Sequence, residues 1–195
     1  MRIGVFGGTF DPIHWGHLVL AEEARNAARL DRVLFVPSAR PPHKRGCELT
    51  DWSHRFEMAR LAIAGESDFE LSDIESDSGR PHYSLDTLER LASHHAGDEL
   101  LFLIGSDSLL DMPHWRQPEA IVARWPLVVL ARPGFDAALA DSRFTGRMSL
   151  VDGVQVAVSS TLVRRRLAEG LSVRYLVPSP VIDYARANGL YGLAP

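Results

Sequence analysis

Short apolar runs alternate with stretches of helical period along the whole chain, the pattern of strands buried on both faces with crossover helices between them. Ile3, Val5 and Phe6 open the pattern as a first strand, and residues 18–30 follow as a helix. Residues 33–36 predict a second strand, closed by Pro37, and 38–50 a polar loop rich in proline, glycine and charge. A helix is expected over 52–64, with Phe56, Ala59, Leu61 and Ile63 on its buried side, then a third strand over 69–74. A helix around 85–91 leads into a central strand over 100–104. Two short helices, 107–112 and 117–123, precede a fifth strand over 127–130. Beyond Arg132-Pro133-Gly134 the pattern weakens, and 135–147 reads as a short helix or a disordered loop. Residues 150–158 predict a strand or a pair, 161–168 a helix started by Ser160, and Ser179-Pro180 the start of a last helix with Gly189 as its C-cap. No internal repeat, low-complexity segment or domain boundary interrupts this order, so one α/β domain over 1–195 is expected, doubly wound around a mostly parallel sheet.

Composition narrows the class. With 195 residues, 46% hydrophobic and 24% charged, the chain suits one well-cored globular domain. A net charge of −4 gives no general basic footprint, so a nucleic-acid partner is not expected. The longest apolar runs, 100–104 and 127–131, are strand length, which predicts no membrane span; with no secretory signal at the start, a cytoplasmic protein is expected. Cys47 is alone, so it has no internal disulfide partner and reads as a free surface thiol. The sequence leaves the oligomeric state open, a homo-oligomer included.

The chemistry concentrates where the first strand meets the first helix, in Gly7-Gly8-Thr9-Phe10-Asp11-Pro12-Ile13-His14-Trp15-Gly16-His17. That turn lies at the carboxyl end of a strand, where ligands of open α/β sheets bind. Gly7 and Gly8 let backbone approach a ligand, and Asp11-Pro12 forces an extended bend before the helix. His14 and His17, three apart with Gly16 between them to keep the volume open, project toward one place and can donate to a phosphate. The plain alternative is one histidine capping the helix and the other packed in the core. A zinc site finds no His-Glu-x-x-His helix, and neither a Gly-x-Gly-x-x-Gly fingerprint nor a Gly-Lys-Ser/Thr P-loop follows the first strand.

Further along, Pro41-Pro42-His43-Lys44 offers a stiffened loop with a cation, and Gly105-Ser106-Asp107 ends the central strand at the same sheet edge. Asp107 there could take a ribose hydroxyl or cap a helix starting near Ser108. In Ser159-Ser160-Thr161-Leu162-Val163-Arg164, Ser160 or Thr161 can cap a helix whose N–H groups suit an anion, and Arg164 sits one turn in.

Residues 7–17 resemble the signature of the nucleotidyltransferase superfamily that carries His-x-Gly-His. The fuller string is similar to that of the bacterial nicotinate mononucleotide adenylyltransferases. The segments around Lys44, Ser84, Gly105 and Ser160 resemble further motifs of that family, with Ser84 where threonine is usual and Val163 where isoleucine is usual. The resemblance implies a Rossmann-like nucleotidyltransferase fold that joins ATP to nicotinate mononucleotide, yielding nicotinate adenine dinucleotide and pyrophosphate, a step of NAD biosynthesis. It implies ATP contacts from Gly7, Gly8, Thr9, Phe10, Gly105, Asp107, Ser160 and Thr161, with His14, His17, Lys44 and Arg164 as the catalytic group. By the resemblance Ser84 would reach the nicotinate carboxylate and Trp115, which core packing would also explain, would stack on the pyridine ring; Arg132 and Ser38 are further candidates for contacts to the mononucleotide that surface placement explains equally well. Magnesium would arrive on ATP rather than in a cage of protein ligands. Another acceptor, such as the amide mononucleotide or phosphopantetheine, and a nucleotide sensor without turnover are the alternatives.

Overall fold

A computed structural model of the chain describes residues 1–41, 49–77, 81–132, 134–154 and 156–194. Pro42, His43, Lys44 and Cys47 lie outside the described residues. Among the described residues six strands form one sheet: β1 (Arg2–Gly8), β2 (Arg32–Pro37), β3 (Phe69–Leu71), β4 (Glu99–Gly105), β5 (Leu127–Leu130) and β6 (Met148–Val151). Their order is β3-β2-β1-β4-β5-β6 and every pairing is parallel, the doubly wound arrangement expected, with the direction of winding reversing between β1 and β4.

The apolar runs are continuous because each strand feeds a core on both faces. Phe6, Val33, Phe35, Leu101, Leu103, Val128 and Leu130 pack on one side under α1 (Trp15–Ala27), α2 (Trp52–Ala62), α6 (Ser160–Ala168) and α7 (Ser179–Ala187). Their neighbours Ile3, Val5, Leu34, Val36, Phe102, Ile104 and Val129 pack on the other under α3 (Ser84–His94), α4 (Ser106–Asp111) and α5 (Pro118–Arg124). Among the described residues, no helix is long and apolar enough to cross a membrane.

Several boundaries differ from the expectation, each for a local reason. β3 is an edge strand whose last ladder bond runs from Ser72 N to Phe35 O; the chain then turns through Asp73 to Ser76 instead of extending to residue 74. β6 begins at Met148 and stops at Val151, because β5 has ended beside it, so 152–154 and 156–158 are not strand. The stretch 135–147 holds two single 3₁₀ turns, Ala137–Leu139 and Ser142–Phe144, capped by the carboxylates of Asp136 and Asp141, and Phe144 anchors it in the core. In α2 the buried face is Arg55, Met58 and Ala59, with Phe56 and Leu61 only half-buried. α1 starts three residues before the expected 18, with His14 as N-cap, and α4 starts at Ser106 after Gly105. The N-cap of α6 is Ser159, whose Oγ accepts from Leu162 N at 3.1 Å; neither Ser160 nor Thr161 holds that place. Pro178 precedes α7, putting Ser179 inside it, and Asn188 is its C-cap, followed by Gly189 at φ +63°.

Candidate active site

A cavity of about 1020 Å³ opens across the carboxyl ends of β1, β4 and β5, at the point where the winding reverses. Three helices of nine residues or more begin on its wall: α1 with His14, Gly16 and His17, α3 with Ser84, and α6 with Ser160 and Thr161. Their first N–H groups have no partners within the helix, and the positive ends of three helix dipoles suit a polyanion.

On the β1 side, the two histidines support each other. His14 N–H donates to His17 Nδ1 at 3.2 Å, which makes Nδ1 the lone-pair nitrogen and puts the proton of a neutral His17 on Nε2. The rings stack with centroids 3.7 Å apart, and the edge of Phe10 meets His17 at 5.0 Å. His14 is 4% exposed; burial, with the charge of Arg132 adding to it, pushes its pKa down to about 4. It is therefore neutral at pH 7 and brings a hydrogen-bond donor, not a charge. His14 is thus both the helix cap and a wall of the cavity, which merges two readings that the sequence set apart.

The glycines of the turn differ in purpose. A Cβ on Gly7 would meet nothing within 4 Å, leaving backbone open to a ligand. On Gly8 it would stand 2.6 Å from the Phe10 ring, so that glycine makes room for an internal side chain. Phe10, at φ +48° and 1% exposed, packs against Phe6 and Phe35 and is a core residue that braces His17. Gly16 is buried, and the space beside it is filled by His14 Nδ1 and Val158 O rather than left open. Opposite, α6 docks on the same turn: Ser160 Oγ donates to Pro12 O at 3.0 Å and Arg164 Nη1 to Asp11 O at 2.7 Å. The two segments 148 and 153 residues apart in sequence are thereby one structure.

At the end of β4, Gly105 has Asp107 Oδ1 where a Cβ would stand, and Asp107 pairs with Arg132 at 3.3 Å. Ser106 Oγ accepts from the Arg132 N–H, which fixes the end of β5 to the start of α4. On the α3 side, Trp115 is half-buried, its Nε1 donating to Asp111 at 3.2 Å and its ring 6.2 Å from Phe102. Arg116 lies over the Tyr83 ring at 4.7 Å and pairs with Asp86 at 3.2 Å. Ser38 follows β2, its N–H bonded to Gly8 O at 2.8 Å. The candidates from Gly7, Gly8, Thr9 and Phe10 through Ser38, Ser84 and Trp115 to Arg164 all line this one cavity; Lys44 lies outside the described residues. Among the described residues no group of three or more His, Cys, Asp or Glu could hold a metal ion.

The sequence reading passed over Arg55, Glu75, the Asp11 carboxylate and Tyr191. Asp11 is 2% exposed and accepts from Tyr191 Oη at 2.7 Å; burial, then the Asp11 charge, raise the tyrosine pKa. Arg55 had a signal: it stands three before Met58 and four before Ala59, on the apolar face of a helix.

A parallel sheet in this order, with an anion-binding cavity at its switch point, defines a nucleotide-binding α/β protein. The family model described as cytidylyltransferase-like matches residues 5–166. A protein of Roseiflexus sp. (strain RS-1) named "Probable nicotinate-nucleotide adenylyltransferase" is 45% identical over 195 residues, covering 97% of each chain. One of the same name from Thermomicrobium roseum is 40% identical over 97% of this chain and 91% of its own. The solved nicotinic acid mononucleotide adenylyltransferase of Plasmodium falciparum, complexed with NaAD, superposes with a TM-score of 0.83 at 21% identity, covering 99% of this chain and 98% of that one. The chain belongs to the cytidylyltransferase-like family and, within it, to the nicotinate-nucleotide adenylyltransferases.

Proposed function

We infer that the protein, as one nucleotidyltransferase domain over residues 1–195, transfers the adenylyl group of ATP to nicotinate mononucleotide, giving nicotinate adenine dinucleotide and pyrophosphate. The observation that carries this reading is the direct docking of α6 on the β1 turn, which puts Thr161, Arg164, His14 and His17 around one volume. An in-line attack of the mononucleotide phosphate on the α-phosphorus needs no protein nucleophile. It needs both substrates aligned and the charge that develops on the phosphoryl oxygens met by fixed donors. His14 and His17 serve as those donors at the reacting phosphorus, Arg164 and Lys44 hold the departing pyrophosphate, and the starts of α1 and α6 add their N–H groups.

Arg132, beside His14, faces the acceptor phosphate, with Ser38 nearby as a second contact to the mononucleotide. Gly7, Thr9, Gly105 and Asp107 contact the adenosine and its phosphates. Ser84, first in α3, offers a hydroxyl and a helix N-terminus to the pyridine carboxylate, and Trp115 offers a ring to stack on. The substrate is ATP with magnesium on its phosphates, the ion keeping most of its waters. The work is expected in the cytoplasm, with small-molecule partners only. The test is to supply ATP labelled on the α-phosphate with magnesium and nicotinate mononucleotide. Label in nicotinate adenine dinucleotide with equimolar pyrophosphate is the expected result; labelled free AMP or unchanged ATP would refute the reading.

A further inference from the structure

Arg55 is 1% exposed and heads the largest fully buried side chains. Among the described residues its guanidinium donates only to backbone carbonyls, from three separate stretches of chain. Nε reaches Thr50 O at 2.8 Å, Nη1 reaches both Thr9 O and Ser38 O at 2.7 Å, and Nη2 reaches Ala39 O at 3.2 Å. Burial of the cation opposes its charge and lowers its pKa, while Asp11, Tyr191, Glu75 and Asp51 act the other way. Taking a cation of this kind out of water carries a large penalty, which its hydrogen bonds must offset. An apolar side chain of that size would leave four carbonyls unbonded.

Ala39 is held from both sides, since its N–H donates to Glu75 Oε2 at 3.2 Å while its carbonyl takes Arg55. Glu75 Oε1 in turn accepts from Thr87 Oγ1 at 2.6 Å, in the first turn of α3. Both Arg55 and Glu75 therefore tie the turn after β2 to a different wall of the cavity: the β1 turn through Thr9, and α3 through Thr87. In the function proposed above, on which this inference rests, Thr9 belongs to the ATP side, and Ser38 and Ser84 to the acceptor side. We propose that Arg55 is a positioning residue for the transfer, its Nη1 bridging one carbonyl from each substrate's subsite and so setting how closely the two phosphates approach, with Glu75 bracing the acceptor side of the clamp. Arginine suits the task because its planar fork reaches carbonyls in several directions at once, which the point charge of lysine cannot do.

A positioning role separates turnover from binding. Purified wild type, Arg55→Lys, Arg55→Met and Glu75→Gln are compared for thermal midpoint, for binding of a non-hydrolysable ATP analogue and of nicotinate mononucleotide measured singly, and for kcat. Folded Arg55→Lys is expected to lose about 10²-fold in kcat, as for a misplacement on the order of 1 Å, while each substrate alone binds within about threefold of wild type. Glu75→Gln, which keeps the volume but exchanges one acceptor for a donor, is expected to lose up to about tenfold. A kcat of Arg55→Lys within about threefold of wild type would overturn the proposal, as would a loss matched by equal losses in both single-substrate affinities. Should both Arg55 variants fail to fold, Glu75→Gln decides: wild-type kcat overturns the proposal, and a lower kcat with intact binding upholds it. A wild type that releases no pyrophosphate with these substrates would instead defeat the proposed function and this inference with it.

Discussion

The two ends of the cavity are built differently. At the β1 end, Asp11, His14 and Arg55 are 2%, 4% and 1% exposed, and Asp11 and Arg55 are held by hydrogen bonds to Arg164, Tyr191 and Thr9, far from them in the chain. At the α3 end, Arg116 and Asp86 are about half exposed and Trp115 is half-buried, held by one ion pair, the Tyr83 ring under Arg116 and one indole contact. Interactions of the first kind resist displacement because a broken one leaves a buried group unsatisfied, whereas exposed ion pairs contribute little. In the proposed function the rigid end takes the phosphoryl chemistry and the adjustable end the acceptor's ring, a division that would let a fold keep one reaction while its acceptor changes.

That contrast is broken most directly by His17→Ala. Loss of one fixed donor to the reacting phosphate is expected to lower kcat by about 10²–10³ with the fold intact, measured as pyrophosphate release. A variant near wild-type turnover would remove His17 from the mechanism.

The next largest effect is on stability, through His14. Its folded pKa of about 4 lies below the ordinary 6.5, so between those values the unfolded chain takes up a proton that the folded protein refuses. Stability is complete above pH 6.5 and drains away as pH falls toward 4, by about 3 kcal/mol across the window. Urea midpoints at pH 7 and pH 4.5 should therefore fall further for wild type than for His14→Asn, and equal falls would deny the burial of His14 its cost.

At the adjustable end, Trp115→Ala is expected to raise KM for nicotinate mononucleotide by about fivefold to 10²-fold through lost stacking, of order 1–3 kcal/mol, with the KM for ATP unmoved. The smallest effect belongs to Arg116→Ala, below about 1 kcal/mol in the thermal unfolding free energy, since its ion pair with Asp86 is exposed. An unfolding loss well above that would put the α3 end on the same footing as the β1 end.

Much of the fold and of the candidate site was legible in the sequence, and the missing part has a physical cause. The strands announced themselves because both faces of each are buried, which leaves unbroken runs such as 100–104. The turn from Gly7 to His17 stood out because its residue types have few other uses together, and the string beginning at Ser159 because it opens a helix. Clamps made by backbone carbonyls leave almost no trace: Thr9, Ser38, Ala39 and Thr50 accept from Arg55 with atoms every residue possesses. The end of β6 was misplaced for a related reason, since it depends on where its neighbour β5 stops and not on its own apolar pattern. Phe10 and Gly8 illustrate a third limit: both line the cavity, and their packing against each other leaves no separate mark in the sequence.

The reaction assigned to the rigid phosphate end is adenylyl transfer to the acid mononucleotide. It is tested most directly by following pyrophosphate from magnesium ATP with nicotinate mononucleotide, its amide, or phosphopantetheine supplied in parallel. Release with the acid alone, or far faster with it than with the others, is the predicted result. Release only with another acceptor would contradict the substrate, and none with any of the three would contradict the reaction and favour a sensor.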